Sequence, residues 1–288
     1  MKKRDFRELL EKQWSRGKFV CVGLDSDHKK LPRHLKREHE DPYEELLSFN
    51  FPIIRQTSDI VGFYKLNAAP YQMLGVPGER ALRRTIEMIH SEFPRVVVIL
   101  DSKDTDIGKT NEWYVEMAFD HYKADAVTVN PYFGMKALEP FLDRKDRGII
   151  VLCRTSNPGA DEFQDVCVNI GGRRMVPLYH HVAESVALRW NENGNCGLVV
   201  GATAPEELGL VREIVGDGFP ILIPGIGTQG GDLDATVKAG KDSRGSGMII
   251  NSSSAIIFAS SGEDFAEAAR SGAQKLHDGI TNCLAAMA

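Results

Sequence analysis

Short apolar segments alternate with longer amphipathic segments along most of this 288-residue chain. Eight of the apolar segments are continuous and rich in β-branched residues, which is typical of strands buried on both faces of a parallel sheet. The predicted strands cover residues 19–25, 62–67, 96–103, 126–130, 148–156, 198–203, 221–227 and 248–252.

The segments between these strands have the spacing of amphipathic helices. Predicted helices cover residues 43–58, 77–90, 107–121, 172–190, 205–215, 232–239 and 263–286, and an extra N-terminal helix covers 5–16. Pro52 is expected to kink or interrupt the first of them. The polar connection 26–41 is expected to be a solvated loop, or alternatively a basic flap near an anionic ligand.

Eight strands alternating with helices predict an α/β protein with a (β/α)8 TIM barrel. An open doubly wound sheet is the alternative, but the polar residues at the strand ends favour closure. Barrels of roughly 250 residues fold as one unit, so residues 1–288 are predicted to form a single (β/α)8 barrel domain. No apolar run approaches the roughly 18 residues of a membrane span, and the polar N-terminus indicates no signal peptide.

Composition narrows the choice of partners and compartment. Lys and Arg number 35 and Asp and Glu number 40, a net charge of −5, which argues against nucleic acid as the main partner. Five cysteines without a CxxC pair indicate reduced thiols and a cytoplasmic protein. No set of His, Cys and acidic residues has metal-ligand spacing, and we expect neither a metal nor another cofactor.

Ionisable residues occupy the ends of the first three predicted strands, where barrel enzymes carry their active sites. Asp25 ends the first strand, Lys65 lies in the second, and Asp101 and Lys103 lie at the end of the third. Strand alternation places Asp101 and Lys103 on one face, beside Lys65. A structural ion-pair cluster is the alternative for any one of them, but several buried charges at one rim favour a site. Asp106, just beyond, can be interpreted alone as a helix cap.

The seventh strand runs into a glycine-rich loop, PGIGTQGG at 224–231. Glycines let the backbone approach an anion closely, and the loops after strands seven and eight commonly bind phosphate in such barrels. Gly227 and Gln229 lie in this loop, and Ser253 and Ser254 follow the eighth strand with further hydroxyl and N–H donors. Ser156, at the end of the predicted fifth strand, belongs to an ordinary turn or reads the edge of a heterocycle.

Lys65, the DxKxxDIGxT run that begins at Asp101, and the PGIGTQGG loop resemble the orotidine 5′-phosphate decarboxylase family. The runs at 130–134, 154–160 and 200–208 resemble its longer bacterial branch. The resemblance covers nearly the whole chain, from 23–25 to 251–260, and the DxKxxDIGxT run is its most specific part.

The resemblance implies cofactor-independent decarboxylation of orotidine 5′-phosphate (OMP) to UMP in de novo pyrimidine synthesis. It implies a homodimer whose active sites are completed across the interface. Lys65, Asp101 and Lys103 then come from one subunit, and Asp106, Ile107 and Thr110 come from the other. Lys103 is expected to protonate C6 of the pyrimidine ring. The stretch 113–119 is expected to be an interface face or, equally, part of the core.

The resemblance also implies ligand contacts for the remaining polar residues. Asp25 is expected to hold the ribose hydroxyls together with Lys65. Ser156 is expected to contact the pyrimidine edge and Gln229 the phosphate. Two other functions stay open: a metal-dependent sugar-phosphate enzyme of the same barrel superfamily, either a hexulose-phosphate synthase or an epimerase, and a non-catalytic nucleotide-binding barrel.

Ser254 departs from the family pattern, which usually has an Arg that grips the phosphate at this position. Ser offers one neutral hydroxyl in place of a bidentate charged pair, a difference on the order of 1.5–3 kcal/mol. Three explanations compete. Another cation such as Arg244 substitutes, the chain is a divergent or engineered member with weaker phosphate binding, or the ligand differs.

Overall fold

Eight parallel strands close into a barrel in the computed structural model, which describes residues 4–227 and 229–287. The barrel strands are β1 (Val20–Gly23), β2 (Phe63–Asn67), β3 (Val97–Asp101), β4 (Ala126–Val129), β5 (Gly148–Arg154), β8 (Cys196–Val200), β9 (Ile221–Pro224) and β10 (Met248–Ser252). Each pairs with its neighbour along the chain, and β1 pairs with β10 to complete the ring. The predicted (β/α)8 TIM barrel is therefore confirmed, and the open sheet is excluded.

Helices surround the barrel in the order expected for βα units. They are α1 (Phe6–Trp14), α2 (Arg33–Glu38), α3 (Pro42–Thr57), α4 (Ala68–Gln72), α5 (Val76–Glu92), α6 (Lys109–Glu116), α7 (Gly134–Leu142), α8 (Asp161–Gln164), α9 (Leu178–Ser185), α10 (Pro205–Val215), α11 (Leu233–Gly240), α12 (Ser254–Ile257) and α13 (Phe265–Ala286). Short 3-10 turns occupy His28–Lys30 and Pro131–Phe133, and π-helical turns at Met117–His121 and Val186–Trp190 extend α6 and α9. None of the described helices is both long and apolar enough to cross a bilayer.

The predicted N-terminal helix, α1, covers the end of the barrel where the strands begin. Its Phe6 ring lies so close to Gly148, the first residue of β5, that a Cβ there would be 2.8 Å from the ring. The Trp14 indole N–H donates to the carbonyl of Met248, the first residue of β10, at 2.8 Å. Because α1 closes this end, the opposite end is left for ligands.

One predicted helix is wrong over its first third. Residues 172–177 do not begin a helix; instead β6 (Cys167–Ile170) and β7 (Arg174–Pro177) form an antiparallel hairpin outside the barrel, and α9 starts only at Leu178. Gly171 and Gly172 adopt φ of 62° and 70° in the turn. Glycine reaches this left-handed region without a Cβ penalty, so the pair favours a tight hairpin turn over a helix.

Three further segments differ from the sequence prediction. α3 runs without interruption through Pro52, since its buried face with Phe49 and Ile53 holds it against the barrel. The connection 26–41 is not simply a solvated loop: it contains α2, and Leu31 and Leu35 are buried. α7 was missed, because a nine-residue helix containing a proline gives a weak periodic signal.

Candidate active site

A cavity of about 270 Å³ opens at the carboxyl end of the barrel strands. One side of it is lined by charged and polar side chains from β1 to β4. These are Asp25, Lys65, Asn67, Asp101, Lys103 and Thr128. The other side is lined by the turn after β5, by the end of β10 and by the loops after β9 and β10. Its polar members are Thr155, Ser156, Asn157, Gln229, Asn251 and Ser253.

Lys65 lies at the centre of the charged side and is only 4% exposed. Its ammonium donates to Asp101 Oδ2 at 2.8 Å and to Asp25 Oδ1 at 3.1 Å. Burial alone would lower the pKa of Lys65, but the two carboxylates outweigh burial and the pKa is raised. Lys65 is therefore a fixed positive charge between two carboxylates.

Asp101 links Lys65 to Lys103. Its Oδ1 atom accepts from the Lys103 ammonium at 2.6 Å and from the Thr128 hydroxyl at 2.8 Å. Burial would raise the pKa of Asp101, but Lys65 and Lys103 outweigh it and hold the pKa well below its ordinary value. The four side chains thus form a continuous row of alternating charge: Asp25, Lys65, Asp101, Lys103.

Lys103 reaches this row by a different route from the one that strand alternation predicts. β3 ends at Asp101, and Lys103 adopts a φ of 59°, a left-handed conformation that is costly for a residue with a Cβ. Its backbone N–H donates to the Thr128 carbonyl at 3.1 Å and to the Thr128 hydroxyl at 3.2 Å. Backbone strain of this kind concentrates at functional sites, and β4 is what holds it in place here.

Asp106, Ile107 and Thr110 do not line the cavity of their own chain. The loop that carries Asp106 and Ile107 is anchored by the fully buried Asn111, whose amide oxygen accepts the Asp106 N–H at 2.8 Å and whose amide nitrogen donates to the Asp106 carbonyl at 2.6 Å. The residue that caps α6 is Gly108, so Asp106 is not the helix cap that its position suggests. The Asp106 carboxylate accepts only the neighbouring Ile107 N–H among the described hydrogen bonds.

The glycine-rich side of the cavity carries neutral donors. Gln229 and Ser253 line it, whereas Gly227 lies behind it against α12 and Ser254 begins that helix. Gly23 makes room here, because a Cβ on it would be 1.8 Å from the Ser253 hydroxyl oxygen. Thr228, within the same loop, lies outside the described residues.

No cation replaces the missing Arg among the described residues that line this side. Arg244 was one explanation for Ser254, but it lies in the connection before β10, at the opposite end of the barrel, and pairs with Asp242 at 3.2 Å. The cations in the lining are Lys65 and Lys103, and both are bonded to carboxylates. The Arg244 explanation is therefore wrong.

Sequence reasoning missed the neutral residues that complete the charged side. Thr128 and Asn67 stand at the ends of β4 and β2, and their inward alternation was the available signal. Asn111 lies within a helix, and nothing in the linear pattern marks it. Among the described residues, no group of three or more His, Cys, Asp or Glu is placed to hold a metal ion.

Comparison with known proteins places this chain in a family. Residues 18–270 match the model of the orotidine 5′-phosphate decarboxylase / HUMPS family. The chain is 46% identical over 281 residues to the orotidine 5′-phosphate decarboxylase of Janthinobacterium sp. (strain Marseille), a match that covers 97% of this chain and 99% of the relative.

Two solved structures agree in fold along nearly the whole chain. The OMP decarboxylase of Leishmania donovani superposes with a TM-score of 0.81 and 34% identity, covering 97% of this chain and 98% of that one. The UMP synthase of the same organism gives a TM-score of 0.83 and 35% identity, covering 98% of this chain and 57% of that one. With both sequence and fold matched over almost its full length, the chain belongs to the orotidine 5′-phosphate decarboxylase / HUMPS family.

Proposed function

We propose that this protein is an orotidine 5′-phosphate decarboxylase, a carboxy-lyase that converts OMP to UMP and CO2 in de novo pyrimidine synthesis. The observation that carries the proposal is the row Asp25, Lys65, Asp101, Lys103 at the rim of the barrel. Four alternating charges at a cavity suit a reaction in which a carboxylate leaves and negative charge develops on carbon.

Lys103 is the proton donor in this proposal. The bond from C6 to the carboxylate breaks and its electron pair stays on C6. The Lys103 ammonium stabilises that charge and transfers a proton to C6, and the amine then regains a proton from water. Asp101 fixes the ammonium at 2.6 Å and places negative charge near the substrate carboxylate.

The rest of the cavity is proposed to hold the remaining parts of the nucleotide. Asp25 and Lys65 bind the ribose hydroxyls, and Ser156 contacts the pyrimidine edge. The phosphate takes the opposite, glycine-rich side, where Gln229 and Ser253 are the neutral donors that line the cavity. Gly227 and Ser254 lie next to this side and are proposed to contact the phosphate as well. Because this side has no described cation, we propose that it binds phosphate more weakly than an Arg-containing site does.

The site is proposed to be completed by a second copy of the chain. Asp106, Ile107 and Thr110 lie outside the cavity of their own chain, and Ile107 is 62% exposed. Apolar side chains are exposed nearby: Trp113 on α6, and Tyr132, which is 88% exposed, just before α7, a helix that packs against α6. Large apolar side chains that are exposed on adjacent elements are a common feature of interfaces.

The domain and compartment are proposed on separate grounds. We propose that the chain acts as a single barrel domain, since its strands from Val20 to Ser252 form one ring. We propose a cytoplasmic location, since all five cysteines are free thiols and Cys21 and Cys153 are buried.

The test of this function is the change in absorbance when the purified protein meets OMP in the presence of EDTA. The proposal predicts stoichiometric formation of UMP at the same rate with and without EDTA. A folded dimer that leaves OMP unchanged would refute the proposed function. Turnover that depends on added divalent metal would contradict the cofactor-independent mechanism, and turnover of a hexulose 6-phosphate instead of OMP would support the sugar-phosphate alternative.

A further inference from the structure

The turn after β5 is held by a residue that does not line the catalytic cavity. Gln164, the last residue of α8, uses both ends of its side-chain amide on Thr155. Its Oε1 accepts the Thr155 backbone N–H at 2.8 Å, and its Nε2 donates to the Thr155 hydroxyl at 2.9 Å. Gln164 therefore fixes the backbone and the side chain of the residue that precedes Ser156.

The carbonyl of Thr155 is held from the other side. Arg154 donates to it through Nη1 at 3.0 Å, and the same guanidinium forms a two-point ion pair with Asp165, at 2.8 and 3.0 Å. With its hydroxyl also donating to Asn157 Oδ1 at 2.6 Å, Thr155 has a partner for each of its polar groups. Two consecutive residues, Gln164 and Asp165, thus tie the turn to α8.

The position of Ser156 depends on this turn. Ser156 packs against two glycines at the ends of neighbouring strands: a Cβ on Gly201 would be 2.6 Å from the Ser156 Cβ, and one on Gly225 would be 3.5 Å from it. The Gly201 N–H donates to the Arg154 carbonyl at 2.8 Å. Ser156 is therefore packed against the backbone at Gly201 and Gly225, and its position also depends on Thr155, the residue before it.

We propose that Gln164 is a positioning residue for the base of the substrate. By fixing Thr155, it holds Ser156 and Asn157 at the cavity surface where the heterocycle binds. The inference rests on the proposed decarboxylase function and on the proposed contact of Ser156 with the pyrimidine edge. In this inference Gln164, which lies outside the cavity, contributes to the preference of the site for a nucleotide over a sugar phosphate that lacks the base.

The test compares binding of UMP and of ribose 5-phosphate, which lacks the base, to the intact dimer by titration calorimetry. Gln164→Leu keeps the volume of the side chain and removes both hydrogen bonds to Thr155. We expect it to weaken UMP binding about tenfold, a part of the free energy of the two intramolecular hydrogen bonds, and to leave ribose 5-phosphate binding unchanged. In turnover, KM for OMP should rise by a similar factor with a smaller change in kcat.

Two further variants separate positioning from folding. Gln164→Glu keeps an acceptor for the Thr155 N–H and should restore part of the UMP affinity. Gln164→Asn keeps a polar amide, but its side chain is one methylene too short to reach Thr155. It should therefore weaken UMP binding as Gln164→Leu does, and it provides the same test if Gln164→Leu folds poorly. Gln274→Leu is the matched control. It removes the exposed hydrogen bond, 2.7 Å long, that the Gln274 amide donates to Asp278 on α13, and it should change the binding of neither UMP nor ribose 5-phosphate.

The possible results distinguish a failure of the inference about Gln164 from a failure of the proposed function. Equal UMP affinity in wild type and in both Gln164→Leu and Gln164→Asn would overturn the inference, and so would parallel losses of UMP and ribose 5-phosphate binding. If wild type turns over OMP while Gln164 proves neutral, only the inference fails. If wild type neither binds UMP nor turns over OMP, the proposed function fails and the inference fails with it.

Discussion

Thr128 offers the sharpest test of how the charged row is held. Its hydroxyl donates to Asp101 Oδ1 at 2.8 Å and accepts the Lys103 N–H at 3.2 Å, and the side chain is 1% exposed. Thr128→Val keeps the shape and removes both bonds. A hydrogen bond to a charged group contributes about 1.5–3 kcal/mol. If about 2 kcal/mol of this orients Asp101 and Lys103, kcat should fall roughly 30-fold, at about 1.4 kcal/mol per factor of ten.

The assay is the initial rate of OMP decarboxylation, measured beside the free energy of unfolding in urea. Thr57→Val is the matched control, since the buried Thr57 hydroxyl also has two partners: the Ile53 carbonyl and the Tyr64 hydroxyl, both at 2.7 Å. Both variants should lose stability by a similar amount, about 1–3 kcal/mol for buried hydrogen bonds. Only Thr128→Val should lose rate.

An unchanged kcat in Thr128→Val would refute this reasoning, because the turn at Lys103 and its bond to the Thr128 carbonyl would then hold the ammonium without help from the Thr128 hydroxyl. Equal rate losses in both variants would refute it as well, since the effect would follow stability and not the site.

Three other predictions concern the charged row and the phosphate side of the cavity. Lys103→Ala should abolish turnover and leave UMP binding largely intact by calorimetry; a near-normal rate would exclude Lys103 as the proton donor. Ser254→Arg should raise kcat/KM for OMP by about tenfold or more, the difference between a neutral and a charged hydrogen bond; no gain would mean that another group already holds the phosphate. Asp101→Asn should be less stable than wild type at pH 7, and the gap in unfolding free energy should narrow below about pH 4. The reason is that the pKa of Asp101 is lower in the folded protein than in the unfolded chain. The ionised carboxylate therefore stabilises the fold at pH values above the pKa of the unfolded chain, and this stabilisation is lost as the pH falls towards the pKa of the folded protein. An equal gap in urea unfolding at pH 7 and pH 3 would contradict the ion-pair assignment.

The fold could be predicted from sequence because each barrel strand is a continuous apolar run, and burial on both faces demands that pattern. The ends of the strands were less predictable: β3 stops at Asp101, two residues earlier than the pattern suggests. The residues after Asp101 are polar and give no sequence signal for the end of the strand. The hydrogen bonds from the Lys103 N–H to Thr128 of β4 show that the backbone leaves the strand at this point.

The site was predictable as far as its charges are concerned. Asp25, Lys65, Asp101 and Lys103 meet as the strand ends imply, but the reason given for Lys103 was incorrect, since it leaves the strand through a left-handed turn. Thr128 and Gln164 were missed because their roles depend on contacts across the chain, 25 and 9 residues away. No local spacing encodes such contacts.

The hairpin β6–β7 escaped prediction for a related physical reason. Its strands are half exposed and pair mainly with each other, so they lack the apolar run that marks the barrel strands. The glycine pair at 171 and 172 was the sequence signal for the hairpin turn. The helical spacing of the residues that follow extended the predicted helix back over this turn.

The central claim is that Lys103 of one chain and Asp106 of another act in one decarboxylating site, and mixed dimers test it most directly. Lys103→Ala and Asp106→Ala should each be inactive alone. After denaturation and refolding together in equal amounts, half of the dimers are hybrids with one intact site of two, so activity should return to about a quarter of wild type. If the mixture forms hybrid dimers and stays inactive, the two residues do not combine across the interface and the account is contradicted.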